Sequence, residues 1–347
     1  MKLGIDTYIF PNKKVEDIDA FYWKYNTVDL DQMTSYNNYR DKITWVYNAA
    51  LHNIKVVGHC LKWCAKRAKY DIGVYRLPNN IIPGFLYRPT SWYAQYHLED
   101  LQPKLLELGN FARKNKIRLT FHAPMTTVLN SINSKTVSNS LFTISKLLFL
   151  YESMGYDLNR FHSHGCTICT HVGGREGGLE NLANVLQTVD DKVLNVLAIE
   201  NDDKIYSAED LLNADLPVSI ILDTHHNWCL TGNYIKPKSH LFKSIAKTWK
   251  HSTPIIHASM PRYEYCKSVY GDVEIASVKC RDLLPNKALL EAKCGLNNLR
   301  PHSKTIYSYA FKKYIKQFLK VSDVMIEAQY CNLATLKLGK FIKRSGK

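Results

Sequence analysis

The chain has 347 residues, with 46 Lys or Arg against 31 Asp or Glu, and its formal net charge is +15 at pH 7. Its hydrophobic fraction of 46% is ordinary for a globular protein, and no apolar run reaches the roughly 18–20 residues that cross a membrane. These values exclude a disordered chain and a transmembrane protein. The basic surplus indicates a polyanionic partner, most often nucleic acid. Because the N-terminal residues enter strand-like sequence without a secretory signal, we expect a cytoplasmic protein.

Strand-like and helix-like patterns alternate along the chain. Short apolar runs predict eight strands: Lys2–Thr7, Ile72–Arg76, Ile117–His122, Thr167–His171, Val196–Glu200, Val218–Asp223, Pro254–His257 and Val324–Glu327. Between them, helices are predicted at Ile43–Asn53, Cys60–Lys69, Leu101–Asn115, Thr136–Ser153, Leu179–Thr188, Ser207–Leu212, Lys238–Ala246 and Ile306–Phe318. Ser138 or Asn139 is the predicted cap of the fourth helix. Eight strands joined by helices favour an α/β protein, a closed (β/α)8 TIM barrel.

This barrel is expected to form a single domain over residues 1–335. Because a typical barrel of this class has ~250 residues, the length requires insertions, which we place at about 56–71 and 262–298. Residues 336–347 are predicted to be a basic, solvated C-terminal tail. The nine cysteines are odd in number and irregularly spaced, so we expect them to be reduced.

Six of the apolar runs end abruptly in a residue that can bind a metal. In chain order these residues are His122, His171, Glu200, Asp223, His257 and Glu327. Parallel barrels carry their active sites at the C-terminal ends of the strands, so the six side chains are expected to converge there. A doubly wound open sheet would spread them along a line. No GxGxxG motif follows the first strand, so we expect no nucleotide cofactor.

The four residues from the last strands, Glu200, Asp223, His257 and Glu327, are predicted to be both metal ligands and catalytic residues. Their oxygen and nitrogen atoms suit Mn²⁺, Zn²⁺ or Mg²⁺. His122 and His171 could hold a second ion, with Glu200 as the bridge. His226, which forms a DxxH motif with Asp223, and the later His302 could hold a third ion. Asn201, Asp202 and His225 are candidates to orient the imidazoles.

Clustered divalent ions on a basic protein suit phosphodiester hydrolysis. One ion can lower the pKa of a bound water, while its neighbours neutralise the phosphate and stabilise the leaving oxygen. Lys and Arg on the barrel rim would hold DNA phosphates without reading sequence, and Arg76, at the end of the second strand, is the best candidate for such a contact.

The ordered motifs resemble those of the UV damage endonucleases, the UvdE/UvsE family. The resemblance rests on HVGG at 171–174, IENDD at 199–203, LPVSIILDTHH at 216–226, HAS at 257–259, RPH at 300–302 and DVMIEA at 323–328. It runs from about residue 2 to residue 335. It implies a (β/α)8 barrel with a cluster of divalent ions, commonly manganese and up to three. It also implies metal roles for His122, His171, Glu200, Asp223, His226, His257, His302 and Glu327.

The same resemblance implies an activity. Family members nick damaged double-stranded DNA immediately 5′ to a UV photoproduct and leave a 3′-hydroxyl and a 5′-phosphate. We therefore expect a monomeric, nucleoid-associated repair enzyme without a membrane partner.

The chain departs from the family pattern at the parts that read the lesion. A Gly–Gln–Tyr segment of the family corresponds here to Ala123–Thr127, in which Met125 and Thr126 are the candidate lesion contacts. Ile255 stands where members can carry a lysine, and the histidine after strand two is replaced near Tyr87–Arg88.

Three other functions are compatible with the sequence. An apurinic-site endonuclease without photoproduct specificity would use the same metal ligands. A sugar isomerase or epimerase on the same barrel could use the Glu200–Asp223–His257–Glu327 quartet, although the additional histidines and the +15 charge argue against it. A non-enzymatic DNA-binding protein would need no metal at all.

Overall fold

The computed structural model describes residues 1–10, 24–27, 39–262, 284 and 286–345. Its eight strands follow one another side by side and close into a parallel barrel in chain order, as predicted. They are β1 (Leu3–Ile5), β2 (Ile72–Arg76), β3 (Arg118–His122), β4 (Thr167–His171), β5 (Leu197–Glu200), β6 (Ser219–Asp223), β7 (Ile255–Ala258) and β8 (Asp323–Ile326). All eight predicted strands are present. Strands β2 and β4 have the predicted bounds, β3, β5 and β6 begin one residue later, β7 and β8 are shifted by one residue, and β1 is three residues shorter.

Helices separate the strands. They are α1 (Tyr39–Ala65), α2 (Ser91–Gln95), α3 (Leu98–Lys114), α4 (Ser134–Ser153), α5 (Gly178–Leu186), α6 (Asp191–Leu194), α7 (Ala208–Asn213), α8 (Thr224–Thr231), α9 (His240–Thr248), α10 (Lys287–Cys294), α11 (Leu296–Leu299), α12 (Tyr309–Phe318) and α13 (Cys331–Arg344). Short 3₁₀ helices cover Ala68–Tyr70 and Ser163–Gly165. No helix in the described part of the chain is long and apolar enough to cross a membrane.

The described chain divides into two compact units. The first comprises residues 1–20, 67–74 and 199–347. In it β8 pairs with both β1 and β7, and β7 pairs with β6. The core of this unit contains Trp249, whose indole nitrogen donates a hydrogen bond to the carbonyl oxygen of Ile220 at 2.8 Å. The expectation of a single domain over residues 1–335 stays a prediction.

The second unit comprises residues 21–66 and 75–198. Here β3 pairs with β4, and the buried Tyr151 of α4 joins these two strands. The Tyr151 hydroxyl lies 3.1 Å from the carbonyl oxygen of Leu119 and 2.9 Å from that of Thr167. Because each strand is fixed at its beginning, the residues that end β3 and β4 have defined positions.

Several boundaries differ from the prediction. The two helices predicted within 43–69 are one continuous helix, α1, so the segment 56–71 is part of a barrel helix and of the 3₁₀ turn after it. Asn133 caps α4, because its side chain accepts hydrogen bonds from the backbone nitrogens of Lys135 and Thr136. The prediction of Ser138 or Asn139 as the cap was wrong.

The C-terminal part also differs. Residues 331–344 form one helix with Leu338 and Ile342 buried, so the expected tail at 336–347 is helical through Arg344. Most of the second insertion, 262–298, lies outside the described residues. Six described cysteines are reduced thiols, but Cys294 is disulfide-bonded, so the expectation of fully reduced cysteines was wrong at that position.

Two helical glycines should respond in opposite ways to alanine. A β-carbon at Gly109 in α3 would clash with the carbonyl oxygen of Met154, whereas one at Gly58 in α1 would meet the side chain of Leu108 at an ordinary 3.5 Å. We expect Gly109→Ala to destabilise the protein by about 2–3 kcal/mol and Gly58→Ala to stabilise it by about 0.5–1 kcal/mol through helix propensity. Urea unfolding of both variants measures this difference, and equal stabilities would contradict it.

Candidate metal centre

Four strand ends of the first unit bring their acidic and imidazole side chains together. Glu200 and Asp223 are the last residues of β5 and β6, His257 lies in β7, and Glu327 directly follows β8. The strand register sets Asp223 beside His257. One ligand atom from each of the four residues lies within 4.8 Å of the others, and all four side chains are buried. The predicted convergence of this quartet is therefore present in the structure.

His257 lies between two carboxylates of the quartet. Its Nδ1 atom is 2.9 Å from Oε1 of Glu200 and 3.2 Å from Oε1 of Glu327. Glu200 is 0% exposed and His257 is 2% exposed, so solvent does not screen these charges. The arrangement fixes both carboxylates around one imidazole.

Two more histidines of the first unit border the quartet. His226, in the first turn of α8, places Nδ1 3.5 Å from Oε1 of Glu200 and 3.8 Å from Oδ2 of Asp223. His302 places Nδ1 2.6 Å from the carbonyl oxygen of Glu327, and its ring centroid lies 5.8 Å from that of His226. If Nδ1 of His302 donates to that carbonyl, its Nε2 atom has a lone pair for a ligand.

Asp223 has the environment that most clearly favours a bound cation. Its Oδ1 atom accepts hydrogen bonds from the backbone nitrogens of His225 and His226 at 2.6 and 2.7 Å and so caps α8. Its Oδ2 atom is buried and has no hydrogen-bond partner among the described residues. Burial raises the pKa of this carboxyl group, and the nearby charges of Glu200 and Glu327 raise it further. A divalent cation would satisfy Oδ2 and offset the repulsion, so the donor set fits a metal.

Backbone and side-chain hydrogen bonds fix the ligand-bearing strand ends. The side-chain amide of Asn201 donates to the carbonyl oxygen of Asp223 at 3.1 Å and accepts from its backbone nitrogen at 2.8 Å. The backbone oxygen of Asn201 lies 3.1 Å from Nδ1 of His226. Asn201 therefore contacts both the backbone of Asp223 and the imidazole of His226.

The other two residues predicted to orient imidazoles behave differently from each other. His225 is buried, and its Nε2 atom lies 2.8 Å from the carbonyl oxygen of Arg300, two residues before His302. Burial lowers the pKa of His225 well below its usual value, so the neutral ring donates this bond. Asp202 instead accepts hydrogen bonds from the backbone nitrogens of Lys204, Ile205 and Tyr206 and shapes the loop after β5.

Arg300 is a supporting residue that the sequence analysis did not identify. Its Nε atom pairs with the carboxylate of Asp203 at 3.2 Å, and its carbonyl oxygen holds His225. The only signal in the sequence was its place in the RPH motif.

The charge state of His226 makes the stability of the metal-free protein depend on pH. Burial alone would lower the pKa of this imidazole, but Asp223, Glu200 and Glu327 together raise it to about 9. Because this pKa exceeds the usual 6.5, the attraction is fully present below pH 6.5 and is lost as the pH rises through 9. We expect the metal-free protein to lose on the order of 3 kcal/mol of stability over this interval.

Thermal melts in a chelator across this pH range measure the loss. With saturating Mn²⁺ the melting temperature should fall less, because the ion rather than a proton balances the carboxylates. A melting temperature that does not change with pH in the chelator would contradict the assignment to His226.

His122 and His171 lie in the second unit, at the ends of β3 and β4. Their ring centroids are 5.1 Å apart, and Nδ1 of His122 lies 3.0 Å from the carbonyl oxygen of Ala123. The strand register places the buried Cys169 opposite His122. The structure thus pairs the two imidazoles, and their sharing of an ion with Glu200 stays a prediction.

The predicted lesion contacts lie on an exposed turn of the second unit. The backbone nitrogen of Thr127 donates to the carbonyl oxygen of Pro124 at 2.8 Å, so Met125 and Thr126 occupy the tip. Met125 is 77% exposed, the largest exposed fraction among the large apolar side chains that the structure describes. Arg76, by contrast, is 9% exposed, so its role as a phosphate contact stays a prediction. Ile255, the residue in place of a family lysine, is buried at the start of β7.

The closed (β/α)8 barrel carries at its strand ends a buried carboxylate–imidazole cluster that could hold a metal ion, the place where barrels of this fold have their active sites. A model of the family described as UV-endonuclease UvdE matches residues 11–345. The UV DNA damage endonuclease of Halalkalibacterium halodurans is 29% identical over 228 residues, which are 63% of this chain and 66% of that protein. That of Clostridium perfringens is 24% identical over 310 residues, 80% of this chain and 69% of that protein.

The crystal structure of SacUVDE matches with a TM-score of 0.70 at 21% identity, and the match covers 100% of this chain and 99% of that one. It shows the fold. The chain belongs to the UV-endonuclease UvdE family, and this membership makes it an endonuclease that hydrolyses phosphodiester bonds.

Proposed function

We propose that this protein nicks damaged double-stranded DNA immediately 5′ to UV photoproducts and leaves a 3′-hydroxyl and a 5′-phosphate. The observation that carries the proposal is the buried quartet of Glu200, Asp223, His257 and Glu327, in which one ligand atom per residue lies within 4.8 Å of the others. Relatives named UV DNA damage endonuclease support the substrate. We also propose the cytoplasmic, nucleoid-associated location that the sequence analysis predicted, where a DNA substrate would be found.

The quartet would hold the cofactor, for which we propose Mn²⁺, with Zn²⁺ or Mg²⁺ as alternatives and up to three ions in all. His226 and His302 would complete the ligand set in the first unit, and His122 and His171 would supply imidazole nitrogens from the second. A bound divalent ion would supply an activated water and would neutralise charge on the scissile phosphate.

The chain's own groups prepare the site for that chemistry. Asn201 holds Asp223 and His226 in place, and His225 holds the segment that carries His302. The burial of Glu200 and Asp223 keeps water from screening the carboxylates, which strengthens their attraction for a cation. Rim Lys and Arg would hold the DNA backbone.

End-labelled duplexes test the activity. Purified protein with Mn²⁺ is incubated with duplexes that carry a cyclobutane dimer, a 6-4 photoproduct, an abasic site or no damage. We expect a nick directly 5′ to the dimer and a product end that a polymerase extends. Cleavage of the abasic duplex alone would support the apurinic-site alternative. No cleavage of any duplex by protein with confirmed metal content would refute the proposal.

The exposed turn offers a separate prediction on lesion recognition. Without a base stacked against it, the 77% exposed Met125 side chain has no packing role, so we propose that it enters the duplex at the lesion. We expect Met125→Ala to lower nicking of the dimer duplex about tenfold or more, because an apolar side chain inserted between bases offsets an unstacking cost of about a few kcal/mol. Metal content should not change.

The matched control is Ile132→Ala, which removes another exposed apolar side chain of the same unit. It should leave nicking within about twofold of the unaltered protein, since surface changes are usually worth less than about 0.5 kcal/mol. Equal rates for the two variants would contradict the role of Met125.

A further inference from the structure

The last two long helices expose charge of only one sign. Residues 304–345 contain nine basic residues and two acidic ones, Asp323 and Glu327, and both acids are buried. The basic residues are Lys304, Lys312, Lys313, Lys316, Lys320, Lys337, Lys340, Lys343 and Arg344. All the charge that this segment presents to solvent is therefore positive.

Aromatic rings connect these cations into one surface. Lys312 of α12 places Nζ 5.4 Å from the ring centroid of Phe341 in α13. The Phe341 ring lies 5.4 Å from that of Tyr309, over which Nζ of Lys313 sits at 4.4 Å. The exposed lysines of α12 therefore adjoin the C-terminal half of α13.

The surface continues onto the 3₁₀ turn before β2. The ring of Tyr70 lies between Nζ of Lys69, at 5.3 Å, and Nζ of Lys340, at 5.9 Å. Asp71 takes part in this region, but its carboxylate is paired with Lys343 at 2.8 Å. We define the basic face as Lys69, Lys312, Lys313, Lys337, Lys340, Lys343 and Arg344.

The basic face lies at the other end of the strands from the metal centre. Asp71 directly precedes β2, and its carbonyl oxygen accepts a hydrogen bond from the backbone nitrogen of Leu3, the first residue of β1. The metal ligands, in contrast, end or follow their strands. α13 begins four residues after Glu327, and Lys343 lies about 18 Å along the helix from its start at 1.5 Å per residue.

The clustered positive charges of the basic face favour an anionic partner. Burial lowers the pKa of Lys312, and the like charge of Lys337 lowers it further, so the lysines repel one another. The apolar sides of both helices, with Phe311, Ile315, Leu338 and Ile342, are buried in the protein. No apolar stripe is thus left to enter a bilayer, which distinguishes this surface from a membrane-binding helix. A duplex presents one negative charge per ~1.7 Å of its axis and fits an extended row of cations.

We propose that the basic face is a second DNA-binding surface, which holds the phosphate backbone of a duplex segment other than the one at the metal centre. The proposal rests on DNA being the substrate class proposed above. A protein with one DNA site at each end of the strands can hold two segments at once. It can therefore move between segments without dissociating.

The test measures binding of undamaged duplex DNA over a range of salt concentrations. The test variant combines Lys313→Ala, Lys337→Ala, Lys340→Ala and Arg344→Ala, which are all exposed. The control variant combines Lys104→Ala, Lys114→Ala, Lys243→Ala and Lys247→Ala, four exposed helical lysines elsewhere. We expect the test variant to bind about tenfold or more weakly and its log–log salt slope to fall by about 3–4, while the control stays within about twofold.

Three further readouts make the result decisive. A variant that combines Lys313→Arg, Lys337→Arg, Lys340→Arg and Arg344→Lys keeps the positive charges and should bind DNA like the unaltered protein. This comparison separates the effect of charge from an effect on folding. Nicking of a short dimer duplex should be unchanged in the test variant, and a failure of the unaltered protein to nick would count against the proposed function only. Equal DNA affinity of the test and control variants would overturn the second surface. The third readout is binding of the same variants to phosphatidylserine vesicles. A loss of binding confined to these vesicles would also overturn the second DNA-binding surface.

Discussion

Glu200→Gln is expected to abolish nicking and to lower the metal content of the purified protein. The substitution keeps the shape of the side chain but removes the charge that lies 2.9 Å from Nδ1 of His257 and 3.5 Å from Nδ1 of His226. An amide is a poor ligand for a divalent cation, so the rate should fall about a thousandfold or more. Single-turnover nicking of the dimer duplex and elemental analysis of the protein measure the two effects.

The fold should persist in this variant, since it loses a buried negative charge that repels its neighbours. Thermal melting in a chelator above pH 9, where the imidazole of His226 is no longer charged, should therefore show a stability no lower than that of the unaltered protein. Glu209→Gln, on the exposed side of α7, is the control and should be fully active. An active Glu200→Gln protein with normal metal content would remove Glu200 from the site.

The two oxygens of Asp223 have different tasks, and a pair of substitutions separates them. Asn at this position can still cap α8 through Oδ1, which accepts from the backbone nitrogens of His225 and His226, but it removes the charge at Oδ2. We expect Asp223→Asn to reduce nicking about a thousandfold or more. Because the pKa of this carboxyl group is raised in the metal-free protein, its ionised form is disfavoured, and Asn should not lower metal-free stability above pH 9, where the imidazole of His226 is no longer charged.

Asp223→Ala removes the ligand and the cap together. It should be as inactive as Asp223→Asn and also less stable by about 1 kcal/mol, the usual value of a helix cap. Denaturant unfolding of both variants in a chelator gives the difference. Equal stabilities would show that Asp223 does not cap α8 in solution, and activity in either variant would contradict its role as a ligand.

The barrel and the quartet could both be predicted because the residues at the strand ends indicate both. An apolar run buried in a parallel sheet stops where the core stops, so the polar residue at its end marks both the strand boundary and the mouth of the barrel. This logic located Glu200, Asp223 and His257 within a residue of their strand ends. Glu327 follows β8 rather than ending it, a difference of one residue.

Other features depend on contacts between residues that are distant in the chain. The cap of α4 is Asn133 because the helix begins at Ser134, two residues before the start that its apolar pattern indicates. α1 runs through Gly58 without a break, and Leu108 of α3 packs beside this glycine. The basic face joins Tyr70 to Lys340, and no local pattern relates positions so far apart.

The paired hydrogen bonds between Asn201 and Asp223 have a consequence for how the protein acquires its ions. They form between side chain and backbone, so they hold the ends of β5 and β6 in place whether or not an ion is present. The ligands are then arranged when the chain folds, and loading requires no refolding. If the proposed ions bind here, the protein should release and regain them reversibly, so that the bound metal would follow the supply in the cell rather than the ion present when the chain was made.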